Sequence, residues 1–347
     1  MNRSLLFLLI SLLIFSCTST EYENVTFLDN KQLTYYKLEM SNIYENIAMK
    51  PSEIIVLDSL IVLLDKTPNG KIKILNLMNG VIRSFINQGR ARGEVLGAYD
   101  LDYIRETNQI ALLDVTSCNI LTCSLDSIDV MGYYPDQTYD IKSSGFNLFT
   151  DIAFDGTNIY CSGCFDELRF FKYDLLKRAV VDSIRYNPDI DGKEIDRFIN
   201  QAYMGTIEFS PNNNKIAFGC RYADQLEIYD IESDIVKYIK GPVLFEPEYK
   251  IVGTNIGKAL THSETERKGY IEIVVDDDYI YALYSGRTKQ EGRSSYGNEV
   301  RKFTWDGDYL ISYLLDSDII SFDIDDENNL YAISYDGNII KYDIDTY

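Results

Sequence analysis

The chain has 347 residues, with 33 Lys and Arg against 54 Asp and Glu and a formal net charge of −21. An acidic surface of this size repels nucleic-acid backbones and anionic lipid headgroups, which disfavours a nucleic-acid partner from the start. With 28 tyrosines and only 7 prolines, among alternating Ile and Val, the composition favours strands over helices.

The N-terminus reads MNRSLLFLLISLLIFSC. Its apolar run, Leu5 to Phe15, falls short of the roughly 20 residues that a membrane-crossing helix needs and follows the single charge of Arg3, so residues 1–16 read as an export signal. Ile14-Phe15-Ser16-Cys17 resembles the lipobox of bacterial lipoproteins. That resemblance implies cleavage before Cys17, a lipid on its thiol, a tether over residues 17–24 and attachment to the membrane through the lipid. The expected location is the cell envelope, as an outer-membrane lipoprotein on the periplasmic or surface side, with Glu21 and Glu23 hinting at surface export. An ordinary secretory signal that happens to contain a cysteine is the alternative. Removal of residues 1–16 takes away only Arg3 and leaves a charge of −22.

Beyond the tether, six segments share one pattern: a strand, a polar turn, a second apolar strand, a further turn and a third strand. Their opening halves are EIIVLDSLIVLLD (53–65), AYDLDYIRETNQIALLD (98–114), DIAFDGTNIYCSG (151–163), TIEFSPNNNKIAFGC (206–220), EIVVDDDYIYALYSG (272–286) and SFDIDDENNLYAISYDG (321–337). Aligned on the second strand, the copies start at Ile61, Ile110, Ile159, Ile216, Ile280 and Leu330, at spacings of 49, 49, 57, 64 and 50. A period of about 50 residues with Asx- and Gly-rich hairpins is the signature of a radial repeat. The expected fold is all-β, a six-bladed β-propeller of four-stranded antiparallel blades forming one domain over residues 25–347. The last copy reaches Tyr347 without a fourth strand, whereas VTFLDNKQLTYYKLEM (25–40) belongs to no copy. An N-terminal strand near Leu33 to Leu38 is therefore expected to complete the sixth blade and close the ring.

The stretch FINQGRARGE before the second copy resembles the joint between blades of NHL-type propellers, with Ala91, Arg92 and Val95 departing from the usual residues. YALYSG (281–286), KFTWDGDYL and NLYAISYDGNIIKYDI are similar to TolB-like six-bladed propeller lipoproteins of Bacteroidetes. The resemblance spans nearly the whole chain beyond the leader. It implies the fold and an envelope location, and carries over no catalytic residue.

Three insertions lengthen copies three to five: residues 185–204, in which DGKEIDRFINQAY is expected to form a short helix, then 241–270 and 285–300. The faces they occupy depend on which strands they join. Arg90, Arg92, Arg221, Arg287 and Arg293 fall in joints or after strands, where guanidinium groups can reach the mouth of a central channel and select a carboxylate or sulfate. Arg221 and Arg287 are expected to line one polar pocket. Glu94 is the nearest acid to Arg90 and Arg92, and pairing with the surplus acids is the competing explanation for all five arginines. The glycines of QGRARGEVLG are explained by the turn of the chain between blades, because no strand–GK[ST]–helix context makes them a phosphate loop.

Other chemistry has little support. His262 is the only histidine, so a multi-histidine metal site is impossible, and a solvated loop position is expected for it. Cys161 and Cys164 lie on opposite faces of one strand, with no second pair to complete a zinc site. Cys118, Cys123, Cys161, Cys164 and Cys220 are left with pairing open. Asp276 to Asp278 and Asp323 to Glu327 read as hairpin turns, and Asp100 and Asp102 as solvated groups rather than channel carboxylates. No catalytic residue, metal ligand or cofactor is assigned. The primary expectation is a non-catalytic binding or scaffold module for a protein, peptide or glycan. The alternative is a metal-dependent hydrolase or lyase with carboxylates converging at the channel.

Overall fold

A computed structural model describes residues 24–127, 134–142, 148–191, 194–210, 212, 214–255 and 257–344. The leader, Cys17 and the tether up to residue 23 lie outside the described residues. Six antiparallel blades follow one another, and in each the first strand is the inner one. These inner strands are Pro51–Leu57, Ala98–Ile104, Phe149–Phe154, Gly205–Phe209, Tyr270–Val275 and the end of Tyr309–Ile324. Tyr309–Ile324 is one continuous strand of 16 residues, the outer strand of blade five and then the inner strand of blade six.

The apolar runs IVLL (61–64) and IALL (110–113) lack the alternation of a half-exposed strand because each blade is covered on both faces. Val62, Leu64 and Ile74 of blade one pack with Leu101, Ile110 and Leu121 of blade two. Equivalent clusters fill each following junction, through Phe154, Ile159 and Phe171 to the last one, where Tyr331 and Ile333 of blade six meet Ile54 and Val56 of blade one. The core is thus a ring of apolar layers between blades.

Two charged pairs are built into these layers. Arg169 of blade three donates to Glu227 of blade four through Nε and Nη2, both at 3.1 Å, and to the Tyr203 carbonyl at 2.9 Å. Arg301 of blade five donates to Asp224 of blade four at 3.1 Å and to Glu299 at 2.7 Å, with its guanidinium 3.5 Å from the Tyr284 ring centre. Gly241 lets the chain pass this site: a Cβ there would lie 1.9 Å from Asp224 Oδ1.

An N-terminal strand closes the ring, but eight residues or so later than expected. Asn42–Tyr44 pairs antiparallel with Ile339–Lys341 as the fourth strand of blade six. Tyr35–Leu38 instead lies parallel to Ser312–Leu315 outside blade five, and Val25–Phe27 lies parallel to Tyr238–Lys240 outside blade four. Residues 25–44 therefore form a belt across three blades. The short strand Asn42–Tyr44 carries one large apolar residue, Ile43, that is left exposed, so hydrophobic patterning favoured the richer TYYKL segment.

Two variants test this architecture by denaturant unfolding. Removal of residues 24–44 is expected to abolish the single cooperative transition. Arg301→Met is expected to lower stability by about 3–5 kcal/mol, because it leaves buried Asp224 without its partner; a loss below about 1 kcal/mol would show that the pair does not hold blades four and five together.

Candidate functional site

The inner strands all run in the same direction, so the channel has two distinct mouths. In five blades a β-bulge interrupts the inner strand at one residue: Ser52, Tyr99, Thr150, Ile271 and Ile320 are the extra residues, each just before a channel-facing position. A bulge re-aims side chains and breaks strict alternation. All five extra residues line a cavity of about 220 Å³ at the mouth where the inner strands begin, here the upper mouth. At the other end a cavity of about 560 Å³ is lined by Asp58, Asp276, Asp277, Asp278, Asp325 and Asp326 together with Arg105.

Between the mouths the channel carries two tiers of polar side chains. The upper tier is Glu53, Asp100, Asp151, Thr206, Glu272 and Ser321, one from each blade, set by register against the second strands. Two residues further along, Asp102, Glu208 and Asp323 come from blades two, four and six, while Ile55, Ala153 and Val274 hold the matching positions in the others. Asp100 and Asp102 thus face the channel. This corrects the expectation that they are solvated surface groups, and the physical reason is that Ala98–Ile104 is an inner strand whose register turns both side chains to the axis.

The carboxylates receive backbone N–H groups across the blade junctions. Glu53 accepts from Leu101 at 2.9 Å, Asp100 from Ile152 at 2.8 Å, Asp151 from Ile207 at 3.2 Å and Asp323 from Val56 at 2.6 Å; the Ser321 hydroxyl accepts from Ile54 at 3.2 Å. Asp102, Asp151 and Asp323 also cap the N–H of the next residue in their own strand. Many of their oxygens are thus engaged by backbone N–H groups. Among the described residues no group of three or more His, Cys, Asp or Glu is placed to hold a metal ion.

Burial, and after it the crowding of like charges in a confined channel, shifts these groups upward. Desolvation, followed by the charge of Asp100 and a hydrogen bond to it, raises Glu53 and Asp151 well above the carboxylate range. Desolvation and then Asp102 do the same to Glu208. Desolvation is also the first cause for Glu272 and Asp102, pushed up to about 8, and for Asp323, at about 7. The folded chain therefore keeps protons that the unfolded chain releases above about pH 4.

All six arginine and glutamate candidates lie in loops of the upper face, since blade joints and second-to-third-strand connections both emerge there. Their roles differ. Arg221 lines the upper cavity. Its backbone is pinned on both sides, its N–H to the Met204 carbonyl at 2.8 Å and its carbonyl to the Gly269 N–H at 2.8 Å. Arg287 instead turns to Asp318 at 2.7 Å, and Arg293 reaches the same carboxylate at 3.1 Å and stacks on Tyr335 at 3.9 Å. The expected pairing of Arg221 and Arg287 in one pocket is therefore not formed, because Asp318 captures Arg287. Arg90 and Arg92 are exposed, Arg92 lying 5.9 Å from the Tyr134 ring centre. Glu94 accepts from the Ala91 N–H at 2.8 Å and folds against Gly89, where a Cβ would lie 1.9 Å from its Oε2. It shapes the joint. Asp114 fixes the far end of that joint by accepting from Leu96 at 2.8 Å and Gly97 at 2.9 Å.

Lys66, Tyr99, Thr206 and Lys268 complete the upper mouth, and none was singled out in the sequence. The insertions build on the same face. Asp196 caps the helix Arg197–Ala202, and that helix packs with Tyr249 and Leu260 of a projecting hairpin, Tyr249–Thr254 and Gly257–His262. His262 is not a loosely solvated residue: it stacks on Tyr222 at 4.2 Å between ring centres and meets Glu266 at 2.7 Å. Asp276 and Asp325 accept the N–H groups of their own hairpins, as their turn positions suggest. The five cysteines beyond the leader are free thiols, Cys161 buried and Cys164 partly exposed.

The family model described as TolB-like 6-blade propeller-like matches residues 29–327. The chain belongs to this family. For this TolB-like propeller no curated relative matches by sequence. Among solved structures, "Structure of U3-55K" superposes with a TM-score of 0.54 at 11% identity, covering 87% of this chain and 98% of that one. "Crystal structure of RRP9 WD40 repeats" gives 0.53 at 12% identity, covering 87% and 97%. At such identities the likeness is one of fold alone.

The proton uptake of the channel predicts a pH dependence whose sign follows from the raised values. Stability is greatest near the unfolded carboxylate range and declines as pH rises through about 7 to 8. The thermal midpoint should fall by about 5 °C or more between pH 5 and pH 9. Asp151→Asn with Glu272→Gln, which retains an acceptor oxygen at both places, should flatten that slope; an unchanged slope would count against the channel as its origin.

Proposed function

We propose that this chain is a lipid-anchored propeller of the cell envelope that binds a protein, peptide or glycan partner on its upper face. The observation that carries this reading is the gathering of all three insertions on that one face. The segment leading to the projecting hairpin and the hairpin itself present Val243, Leu244, Ile251 and Val252 to solvent, and large exposed apolar side chains on one face favour an interaction surface. Propellers of the TolB and WD40 type commonly act as interaction scaffolds, and a binding function needs no catalytic group. The lipobox-like sequence Ile14-Phe15-Ser16-Cys17 supports the anchor.

A second reading, metal-dependent hydrolysis or lyase chemistry, draws on the alternating Asp102, Glu208 and Asp323. Their commitment to backbone N–H groups at Asp102 and Asp323 weighs against it. Millimolar calcium that raises the thermal midpoint, with the effect lost in Asp102→Asn, would favour this second reading.

The binding reading is tested with the full chain in its native membranes. Cys17→Ala should move the protein from the membrane to the soluble fraction. Crosslinking followed by quantitative mass spectrometry should then find partners that are lost when Ile251 and Val252 are both replaced by Ser and kept when Asp277 and Asp326, at the opposite mouth, are replaced by Asn. Partners insensitive to the hairpin change would remove the upper face as the binding surface.

A further inference from the structure

The upper cavity holds cations that no salt bridge among the described residues engages. In a chain of charge −21, Arg221, Lys268 and Lys66 line one cavity, yet none of the three enters an ion pair with a carboxylate among the described residues. Lys268 donates to the Ser295 hydroxyl at 2.6 Å, and Lys66 lies 5.3 Å from the Tyr99 ring centre. The buried Nε of Arg221 has no hydrogen-bond partner, and neither does the Oγ1 of Thr206, a residue that is 6% exposed and lines the same cavity. A buried polar group left unpaired is costly, so two of them beside cations without a salt bridge mark a place built for something that brings acceptors.

We propose that this cavity binds a small hydroxylated carboxylate, a sugar acid, with its carboxylate between Arg221 and Lys268. The proposal deepens the binding reading of the upper face and rests on it. A planar guanidinium matches a carboxylate in two-point geometry. The rest of the lining is mostly polar: Ser52, Thr150, Thr206 and Ser295 hydroxyls and the acids Glu53, Asp100, Asp151 and Glu272. Such walls suit ring hydroxyls and would leave an apolar peptide side chain poorly covered. About 220 Å³ is room for a single ring-sized molecule, since a water takes about 30 Å³ of liquid.

The electrostatics agree with the geometry. Desolvation and then the Arg221 charge pull Lys268 down to about 8, against the opposing pull of Glu266 and with a further push from Lys289. Glu53, Asp151 and Glu272 are raised toward their neutral forms, which lowers the repulsion that the floor of the cavity would offer an anion. An arriving carboxylate would relieve the repulsion between the two cations.

Isothermal titration calorimetry at pH 6.5 with glucuronate, galacturonate, glucose and tri-alanine decides the matter. The uronates should bind, glucose at least tenfold more weakly. Arg221→Gln and Lys268→Gln should each weaken uronate binding about tenfold or more, while Arg293→Gln on the same face should leave it unchanged, all with unaltered near-ultraviolet circular dichroism. Binding should also weaken from pH 6.5 to pH 9, as Lys268 loses its proton and Glu272 ionises beside Arg221 and Asp151. No heat with either uronate, binding undiminished in both cavity variants, or tri-alanine bound as tightly as glucuronate would each overturn the proposal. Partner capture that survives Arg221→Gln but not the hairpin change would leave the upper-face reading standing while this one fails or holds on the titrations alone.

Discussion

A propeller has six inner strands whose free edges look into a narrow channel, and each edge carries N–H groups that no neighbouring strand can take. Unpaired buried backbone groups are expensive, and an open edge invites pairing with another chain. This chain meets the constraint with side chains. Glu53, Asp100, Asp151 and Asp323 each reach across a blade junction to an N–H of the following inner strand, so that the channel wall is stitched by carboxylates rather than by a sheet.

The same device sets the electrical character of the channel. Several acids in one small space cannot all be ionised, and burial raises Glu53 and Asp151 toward their neutral forms. That leaves the upper mouth with a local balance unlike the rest of the acidic surface, with Arg221 and Lys268 close enough to disturb each other. The opposite mouth stays acidic, since Asp58 and the Asp276 and Asp325 turns project from it. A single channel thus presents two chemically different entrances, and the longest loops surround only one.

Much of the fold was legible because its signals are local and repeated. The 49- and 50-residue spacings and the IVLL and IALL runs follow from blades buried on both faces, and the Asp-rich turns follow from hairpin geometry. The channel was not legible in the same way. Glu53, Asp151, Glu208 and Glu272 sit in the opening strands of their copies, and comparing the six copies position by position would have shown an acid or hydroxyl at one place in each. The bulges at Ser52, Tyr99, Thr150, Ile271 and Ile320 hide this, because an extra residue reverses the in-and-out alternation from which facing is inferred. Arg287 was misplaced for another reason: its partner, Asp318, lies 31 residues away in sequence, and only the meeting of blades five and six brings it near. Likewise Arg169 and Arg301 read as ordinary strand charges until their acids arrive from blade four.

The belt formed by residues 25–44 also sets an order of events in time. Its three docking edges are the outer strands of blades four and five and the strand Ile339–Asp343, so the first part of the domain to be made must wait for the last. Contacts separated by about 300 residues carry a high loop-closure cost and form slowly. Blades one to three can assemble while the chain is still being made, but the ring cannot close until its final strand is available. Until Ile339–Asp343 is made, Asn42–Tyr44 has no strand to pair with and the ring stays open.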